Sequence, residues 1–154
     1  MSNEKQKINF KIATPERVVF KNDVDQITLP TKQGEITILP NHIPLIAVLK
    51  PGEIVIKNDK EEVSLAVSGG FIEVLSDKVV VLADTAERAE ELDVERAEAA
   101  RKRAEEALTQ KKYDAKEFAS MAAMMEKELA RVKVAKKYRK HLSSSNLVES
   151  TDNE

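Results

Sequence analysis

The sequence predicts an α+β protein, in which an N-terminal antiparallel β-sandwich of about ten short strands precedes a C-terminal antiparallel two-helix hairpin. Before Asp84, apolar residues alternate with polar ones or form short runs, as in strands; after it they recur every three or four residues, as in helices. All five prolines and all four glycines lie in the first part, where they separate short segments as turn residues do. We therefore predict a sandwich at residues 1–86, a hairpin at 87–142 and a disordered polar tail at 143–154.

The predicted strands are short and closely spaced. Ile8, Phe10 and Ile12 occupy alternate positions, which is typical of the buried face of a strand. Further strands are predicted at Arg17–Phe20, Val24–Leu29, Glu35–Leu39, Leu45–Leu49, Glu53–Lys57, Glu62–Val67, Gly70–Leu75 and Lys78–Ala83. Many short strands separated by turn residues favour a sandwich or a barrel over βαβ units.

The hairpin is predicted from two helical segments. Asp93 belongs to the residue types that cap helix N-termini, and Asp114 followed by Glu117 has the spacing of a capping box. The first helix carries a stripe of small residues at helical spacing: Ala97, Ala100, Ala104 and Ala107. The second carries a larger apolar seam at steps of three and four: Phe118, Ala122, Met125, Leu129 and Val132.

The connection between these helices, residues 111–113, is short enough to force an antiparallel arrangement. Alanine lets two helices approach closely, but each alanine removes little apolar surface from water. We therefore expect a hairpin that adheres weakly and can open.

Composition excludes several classes of function. A net charge of −2 gives no general attraction to nucleic acid, and no apolar stretch is long enough for direct membrane insertion. There is no cysteine, and the two histidines, His42 and His141, lack partners at the spacing of metal ligands. No nucleophile–base pair or phosphate-binding glycine loop is present. We expect no catalytic residue, no metal and no required cofactor.

Three segments, in this order, closely resemble the epsilon subunits of bacterial F-type ATP synthases. The first is Leu29–Leu45 (LPTKQGEITILPNHIPL), followed by Pro51 and Gly52. The second is Val67–Val74 (VSGGFIEV), and the third is Val81–Arg88 (VLADTAER), which runs into Leu92–Ala97 (LDVERA). The resemblance covers nearly all of residues 8–140, and the combination of segments is more specific than any one of them.

The resemblance implies a non-catalytic central-stalk subunit of a proton-translocating ATP synthase, peripheral at the cytoplasmic face of the cell membrane. The sandwich of such a subunit contacts the gamma subunit and the membrane rotor ring. Its hairpin permits rotation when folded; when extended, it reaches the catalytic alpha/beta hexamer and inhibits ATP hydrolysis. One alternative is a stand-alone ATP-sensing module that joins no complex. Another is an enzyme whose site forms only on folding.

The resemblance also implies a candidate regulatory ATP site, because Leu92–Ala97 matches a signature of nucleotide-binding members. By position, the contacts would come from Glu87, Asp93, Arg96, Arg103, Lys127 and Arg131. Arg96 and Arg103 share one helix face about 10 Å apart, so their guanidiniums can span a polyphosphate. Lys127 departs from the family, where arginine is usual, and it lacks the planar fork of arginine. The alternative assigns Asp93 to capping and the arginines to surface ion pairs.

By the same resemblance, Gln33, Glu35 and His42 lie at the end of the sandwich that faces the rotor partners. An alternative for His42 is a loop histidine that holds the turn from Pro40 to Pro44. Asn41 stands where relatives often have glycine. Asparagine tolerates positive φ better than most residues, so we expect the turn to be kept.

Overall fold

The computed structural model describes residues 5–110 and 112–149, and the side chains among them except those of 146–149. Two compact units divide between Arg88 and Ala89, two residues beyond the predicted boundary. The strands of the first unit are β1 (Ile8–Ala13), β2 (Val18–Val24), β3 (Gln26–Thr31), β4 (Gly34–Ile38), β5 (Leu45–Leu49), β6 (Gly52–Asn58), β7 (Glu61–Val67), β8 (Gly70–Val74), β9 (Lys78–Ala83) and β10 (Ala86–Arg88).

These strands form one hydrogen-bonded sheet in the order β10-β7-β6-β3-β5-β8-β9-β1-β2, with β4 paired to β3. The described pairings are antiparallel except that between β1 and β9, which is parallel. Strand β2 also contacts β6 and β10, so the sheet folds back on itself around an apolar core. Phe10, Ile27, Leu29, Ile54 and Ile72 are fully buried there, which confirms the predicted N-terminal sandwich.

Two strand predictions differ from the structure. Strand β2 runs on to Val24, and the chain turns at Asp25, whose Oδ2 accepts a hydrogen bond of 2.6 Å from the backbone N–H of Asp59. Strand β10 was not predicted, because it has only three residues and two of them are charged. The guanidinium of Arg88 lies 5.8 Å from the centre of the Phe20 ring and anchors β10 to the sandwich.

The second unit contains a 3₁₀ turn at Ala89–Glu91 and two helices, α1 (Val94–Gln110) and α2 (Ala115–Glu149). The predicted capping box begins α2: the Glu117 N–H donates to Asp114 Oδ1 at 2.8 Å, and the Asp114 N–H donates to the Glu117 carboxylate. Residues near the start of α1 contact the later part of α2, and residues near its end contact the early part. The two helices are therefore antiparallel, as predicted.

Helix α2 is longer than the sequence predicts. Residues 143–149, predicted as part of a disordered polar tail, continue the helix, and residues 150–154 lie outside the described residues. The hydroxyls of Ser143, Ser144 and Ser145 each donate to the carbonyl three residues earlier, so these side chains follow the helix instead of competing with it. No glycine or proline follows that would end the helix.

The predicted apolar seam of α2 is only partly buried. Val132 is buried, whereas Phe118 is 54% and Leu129 is 52% exposed. Other residues of α2 are buried instead: Ala130, Val134 and Ala135. The buried residues of α2 therefore differ from the predicted seam, because the face that a helix buries depends on how it packs against its neighbours and not on sequence spacing alone.

Candidate functional site

The start of α1 is fixed by Asp93. Its Oδ1 accepts hydrogen bonds from the backbone N–H groups of Glu95, at 3.0 Å, and Arg96, at 3.2 Å. These bonds satisfy two of the amides that lack partners within the helix, so Asp93 is an N-cap. The cap places Arg96 in the first turn of α1, on an exposed position.

Arg103 lies two turns further along α1. Its Nε donates to the backbone oxygen of Ala99 at 3.3 Å, which holds the stem of the side chain against its own helix. Arg103 lines a cavity of about 270 Å³ between the two helices, together with residues of both: Ala100, Ala104, Met121, Met124 and Glu128. The cavity is mostly apolar, and Arg103 and Glu128 are its charged residues.

Lys127 and Arg131 lie one turn apart on α2, and both are partly exposed. Nη1 of Arg131 is 2.8 Å from Oε2 of Glu128 and forms an ion pair with it. Glu128 thus pairs with Arg131 and lines the same cavity as Arg103. Glu128 was not among the predicted site residues; its position three residues before Arg131 was the available signal.

Glu87 was predicted for the same site, but it belongs to the first unit. It lies on β10, opposite Ala66 of β7. The other five residues of the predicted set belong to the second unit.

An ion pair joins the two helices near the start of α1. Oε1 of Glu98 accepts a hydrogen bond of 2.6 Å from Nζ of Lys136. This bond and the positive charge of Lys136 lower the pKa of the Glu98 carboxyl. Lys136 belongs to a basic segment of α2 that comprises Arg131, Lys133, Lys136, Lys137, Arg139 and Lys140, and Glu98 neutralises part of its charge while the hairpin is folded.

Gln33, Glu35 and His42 lie along one hairpin and the loop that follows it. Gln33 is in the turn between β3 and β4, Glu35 is on β4, and His42 is in the loop after β4. The first two are exposed and His42 is partly exposed. The five residues of β4 separate Gln33 from His42, so the three side chains do not share one loop.

The local contacts of His42 support its predicted alternative. Its Nδ1 is 2.7 Å from the Ile43 carbonyl oxygen, so Nδ1 carries the hydrogen and donates. Its backbone N–H donates to the Leu39 carbonyl. Asn41 has a φ of 63°, as expected for asparagine in place of glycine. These contacts hold the turn, and the part of the His42 side chain that remains exposed is accessible to a partner.

One feature of the sandwich was missed by sequence reasoning. Ile46 on β5, Phe71 on β8 and Leu82 on β9 are 79%, 61% and 59% exposed. Phe71 lies opposite both Val48 of β5 and Leu82 of β9, so these side chains share the outer face of three neighbouring strands. Scattered apolar residues are normal on surfaces, but a contiguous group of this kind marks an interaction site.

Within residues 5–110 and 112–149, no three His, Cys, Asp or Glu side chains gather as metal ligands would. In the same ranges, neither helix combines the length and the apolar character needed to cross a membrane.

Two family models match consecutive parts of the chain. One is described as the beta-sandwich domain of the ATP synthase Delta/Epsilon chain and matches residues 7–89; the other is the long alpha-helix domain of the same chain and matches residues 90–136. The chain belongs to the ATP synthase delta/epsilon chain family. Membership bears out the predicted resemblance and, with it, the expectation of a subunit that is not itself an enzyme.

Relatives of this ATP synthase delta/epsilon chain are named ATP synthase epsilon chain. That of Dehalococcoides mccartyi strain BAV1 is 48% identical over 135 residues, which cover 88% of this chain and 96% of the relative. That of Syntrophobacter fumaroxidans is 43% identical over 132 residues, covering 86% and 98%. That of Geobacter sulfurreducens is 42% identical over 132 residues, covering 86% and 96%.

The fold of this delta/epsilon chain is similar to those of chains in two solved complexes. The first is the Euglena gracilis mitochondrial ATP synthase OSCP/F1/c-ring, with a TM-score of 0.69 at 22% identity, covering 79% of this chain and 76% of that one. The second is the central stalk and c-ring of the Tetrahymena thermophila mitochondrial ATP synthase, with a TM-score of 0.59 at 17% identity, covering 87% and 97%.

Proposed function

We propose that this chain is the epsilon subunit of the central stalk of a proton-translocating F-type ATP synthase. It couples the rotor ring and gamma to the catalytic hexamer during ATP synthesis, and its hairpin inhibits ATP hydrolysis. It acts as a peripheral protein at the cytoplasmic face of the cell membrane. The observation that carries the proposal is the match of both compact units, in order, to the two domain models of one family. This match favours a subunit over a stand-alone ATP sensor.

The sandwich supplies the permanent contact in this proposal. The outer face around Ile46, Phe71 and Leu82 fits an apolar partner surface, and we assign it to gamma. The hairpin of β3 and β4 carries the exposed polar residues Gln33 and Glu35, and we assign it, with His42, to the rotor ring.

The hairpin supplies the regulated contact. The alanines of α1 contribute little apolar area to the helix–helix contact, so two arrangements of the hairpin can lie within a few kcal/mol of each other. Opening breaks the ion pair between Glu98 and Lys136 and frees the basic segment of α2 for an acidic surface of the hexamer. Phe118 and Leu129 are exposed even in the folded hairpin and are available to the same partner.

ATP is the proposed regulatory ligand, held by Arg96, Arg103, Lys127 and Arg131, with Asp93 toward the nucleoside. The support is that Arg103 of α1 and Glu128 of α2 line one cavity between the helices, and that Arg131 pairs with Glu128. A polyphosphate bound to arginines of both helices stabilises the folded hairpin, because it binds that arrangement and not the open one.

Removing residues 93–154 tests the regulatory role. The deletion begins after the unit boundary and keeps β10, whose Arg88 contacts Phe20. In a reconstituted complex we expect faster ATP hydrolysis, retained binding of the sandwich to gamma and retained proton-driven synthesis. Unchanged hydrolysis would remove the inhibitory role.

Docking through the apolar face is tested separately, by measuring assembly of full-length variants with gamma. Loss of assembly in Phe71→Ser, but not in the control Thr37→Ser, would support that contact. ATPase activity of the isolated full chain would contradict the whole proposal.

A further inference from the structure

Glu128 is an acidic residue inside the proposed anion site. It lies on α2, its side chain is 15% exposed, and its Oε2 is 2.8 Å from Nη1 of Arg131. The same side chain lines the inter-helix cavity with Arg103. A phosphate group that approaches these two arginines therefore meets a carboxylate that is already bonded to one of them.

A carboxylate and a phosphate compete for the same hydrogen-bonding edge of a guanidinium, because both present paired acceptor oxygens to its planar fork. A phosphate that displaces Glu128 from Arg131 loses the energy of the existing ion pair. A phosphate that binds beside Glu128 is repelled by its charge. By either route, the negative charge of Glu128 lowers the affinity of the site for an anion.

We propose that Glu128 is an internal competitor for the nucleotide, which occupies Arg131 in the nucleotide-free chain and sets the affinity of the site. This inference rests on the proposed ATP site. Displacing the carboxylate costs the same ion pair for any nucleotide, but a triphosphate carries more negative charge than a monophosphate and is repelled more strongly. The competitor therefore lowers the affinity for ATP more than that for AMP, and the site fills only at a high concentration of ATP.

The chain offers a matched control pair. Arg101 and Glu105 on α1 form an ion pair at 3.0 Å, but it lies within one helix, and neither residue lines the inter-helix cavity. Glu128→Gln and Glu105→Gln remove the same charge from the same unit, and glutamine keeps the shape and an acceptor oxygen. Only the first variant removes the proposed competitor.

The test measures ATP and AMP binding to the full-length chain by calorimetric titration for wild type, Glu128→Gln, Glu105→Gln and the double variant Glu128→Gln/Arg131→Gln. Far-ultraviolet circular dichroism checks that helix content is kept. We expect Glu128→Gln to bind ATP roughly three- to ten-fold more tightly than wild type, with a smaller gain for AMP. Glu105→Gln should change the ATP dissociation constant by less than about two-fold, because Glu105 is exposed, lies outside the cavity and is screened by solvent. The double variant loses the gain.

Three outcomes overturn the inference. Equal ATP affinity in wild type and Glu128→Gln would dismiss Glu128 as a competitor while leaving the ATP site in place. An equal gain in Glu105→Gln would reduce the effect to the overall charge of the hairpin. Absence of ATP binding in both wild type and Glu128→Gln would remove the proposed nucleotide site and the competitor together.

Discussion

Glu98 of α1 and Lys136 of α2 are joined by an ion pair with 2.6 Å between Oε1 and Nζ. The pair links the first part of α1 to the basic segment of α2. Both side chains are about half exposed, so the attraction is screened by salt and by water. Such a contact biases a hairpin toward its folded arrangement without locking it.

Glu98→Gln is expected to increase opening of the hairpin. The negative charge that holds Lys136 is lost, so amide hydrogen exchange at the start of α1 becomes faster than in wild type at low salt. The difference shrinks at high salt, because screening weakens the wild-type pair. If the extended hairpin inhibits hydrolysis, as proposed, the same variant should lower ATP hydrolysis in the assembled complex.

The pH dependence of this pair has a defined sign. The pKa of the Glu98 carboxyl is lowered in the folded chain, first by its hydrogen bond with Lys136 and then by the lysine charge. The stabilising effect is therefore complete above the usual carboxyl pKa of about 4.3 and is lost as the pH falls through the lowered value. Glu105→Gln is the control. An increase in the amide exchange rate in Glu105→Gln, or no increase in Glu98→Gln, contradicts the prediction.

Asp25 is expected to make the sandwich sensitive to acid. The pKa of its carboxyl is lowered, first by the hydrogen bond from the Asp59 backbone and then by the hydrogen bond from Lys5. The contribution to stability is present above about pH 3.9, the usual value for aspartate, and is lost as the pH falls through the lower folded value. Asp25→Asn should lower the free energy of unfolding, measured in urea, at pH 7. It should make little difference at a pH below the lowered pKa of Asp25, where the wild-type carboxyl is also uncharged. A deficit that is independent of pH would contradict this cause.

What the sequence predicted well is what short segments determine by themselves. Asp93, and Asp114 with Glu117, were identified as caps because a cap involves residues within one helical turn. The core strands were predicted from the alternation of apolar and polar residues, since one face of each strand packs on the interior. The arrangement of Phe118 and Leu129 could not be predicted, because it depends on how two helices rotate against each other. The pairing of Glu128 with Arg131 is local and their spacing indicates it, but the position of Glu128 beside the cavity that Arg103 lines depends on the packing of the two helices.

Gly70 is expected to be intolerant of any side chain. Its φ is 132°, and a Cβ at this position would lie 1.9 Å from the Leu82 carbonyl oxygen on β9. Gly70→Ala must therefore separate β8 from β9 or change the backbone. Backbone strain alone should lower the free energy of unfolding by about 1–3 kcal/mol, and the steric overlap should add to this loss. Urea denaturation measures the total.

Gly34→Ala separates the two causes of this loss. Gly34 also has a positive φ, 121°, but no atom lies within 4 Å of the Cβ position. The variant has the backbone strain without the steric overlap and should be less destabilised than Gly70→Ala. Equal losses would show that the approach of Leu82 contributes nothing.

Leu129 and Val132 provide a final comparison, because they were predicted to share one face of α2 and the structure separates them. Leu129 is 52% exposed, whereas Val132 is buried. Leu129→Ser should change the free energy of unfolding of the isolated chain by no more than about 0.5 kcal/mol. Val132→Ser removes buried apolar contacts and buries a hydroxyl, which should cost about 2–3 kcal/mol.

The two variants should behave differently again in the assembled complex. If the exposed face of α2 contacts the hexamer when the hairpin extends, Leu129→Ser weakens that contact and raises ATP hydrolysis, although the isolated chain is as stable as wild type. Hydrolysis assays of the reconstituted complex measure this, with Ala123→Ser as a control at an exposed position of α2 outside both the predicted seam and the basic segment. Hydrolysis at the wild-type rate in Leu129→Ser would show that Leu129 takes no part in inhibition.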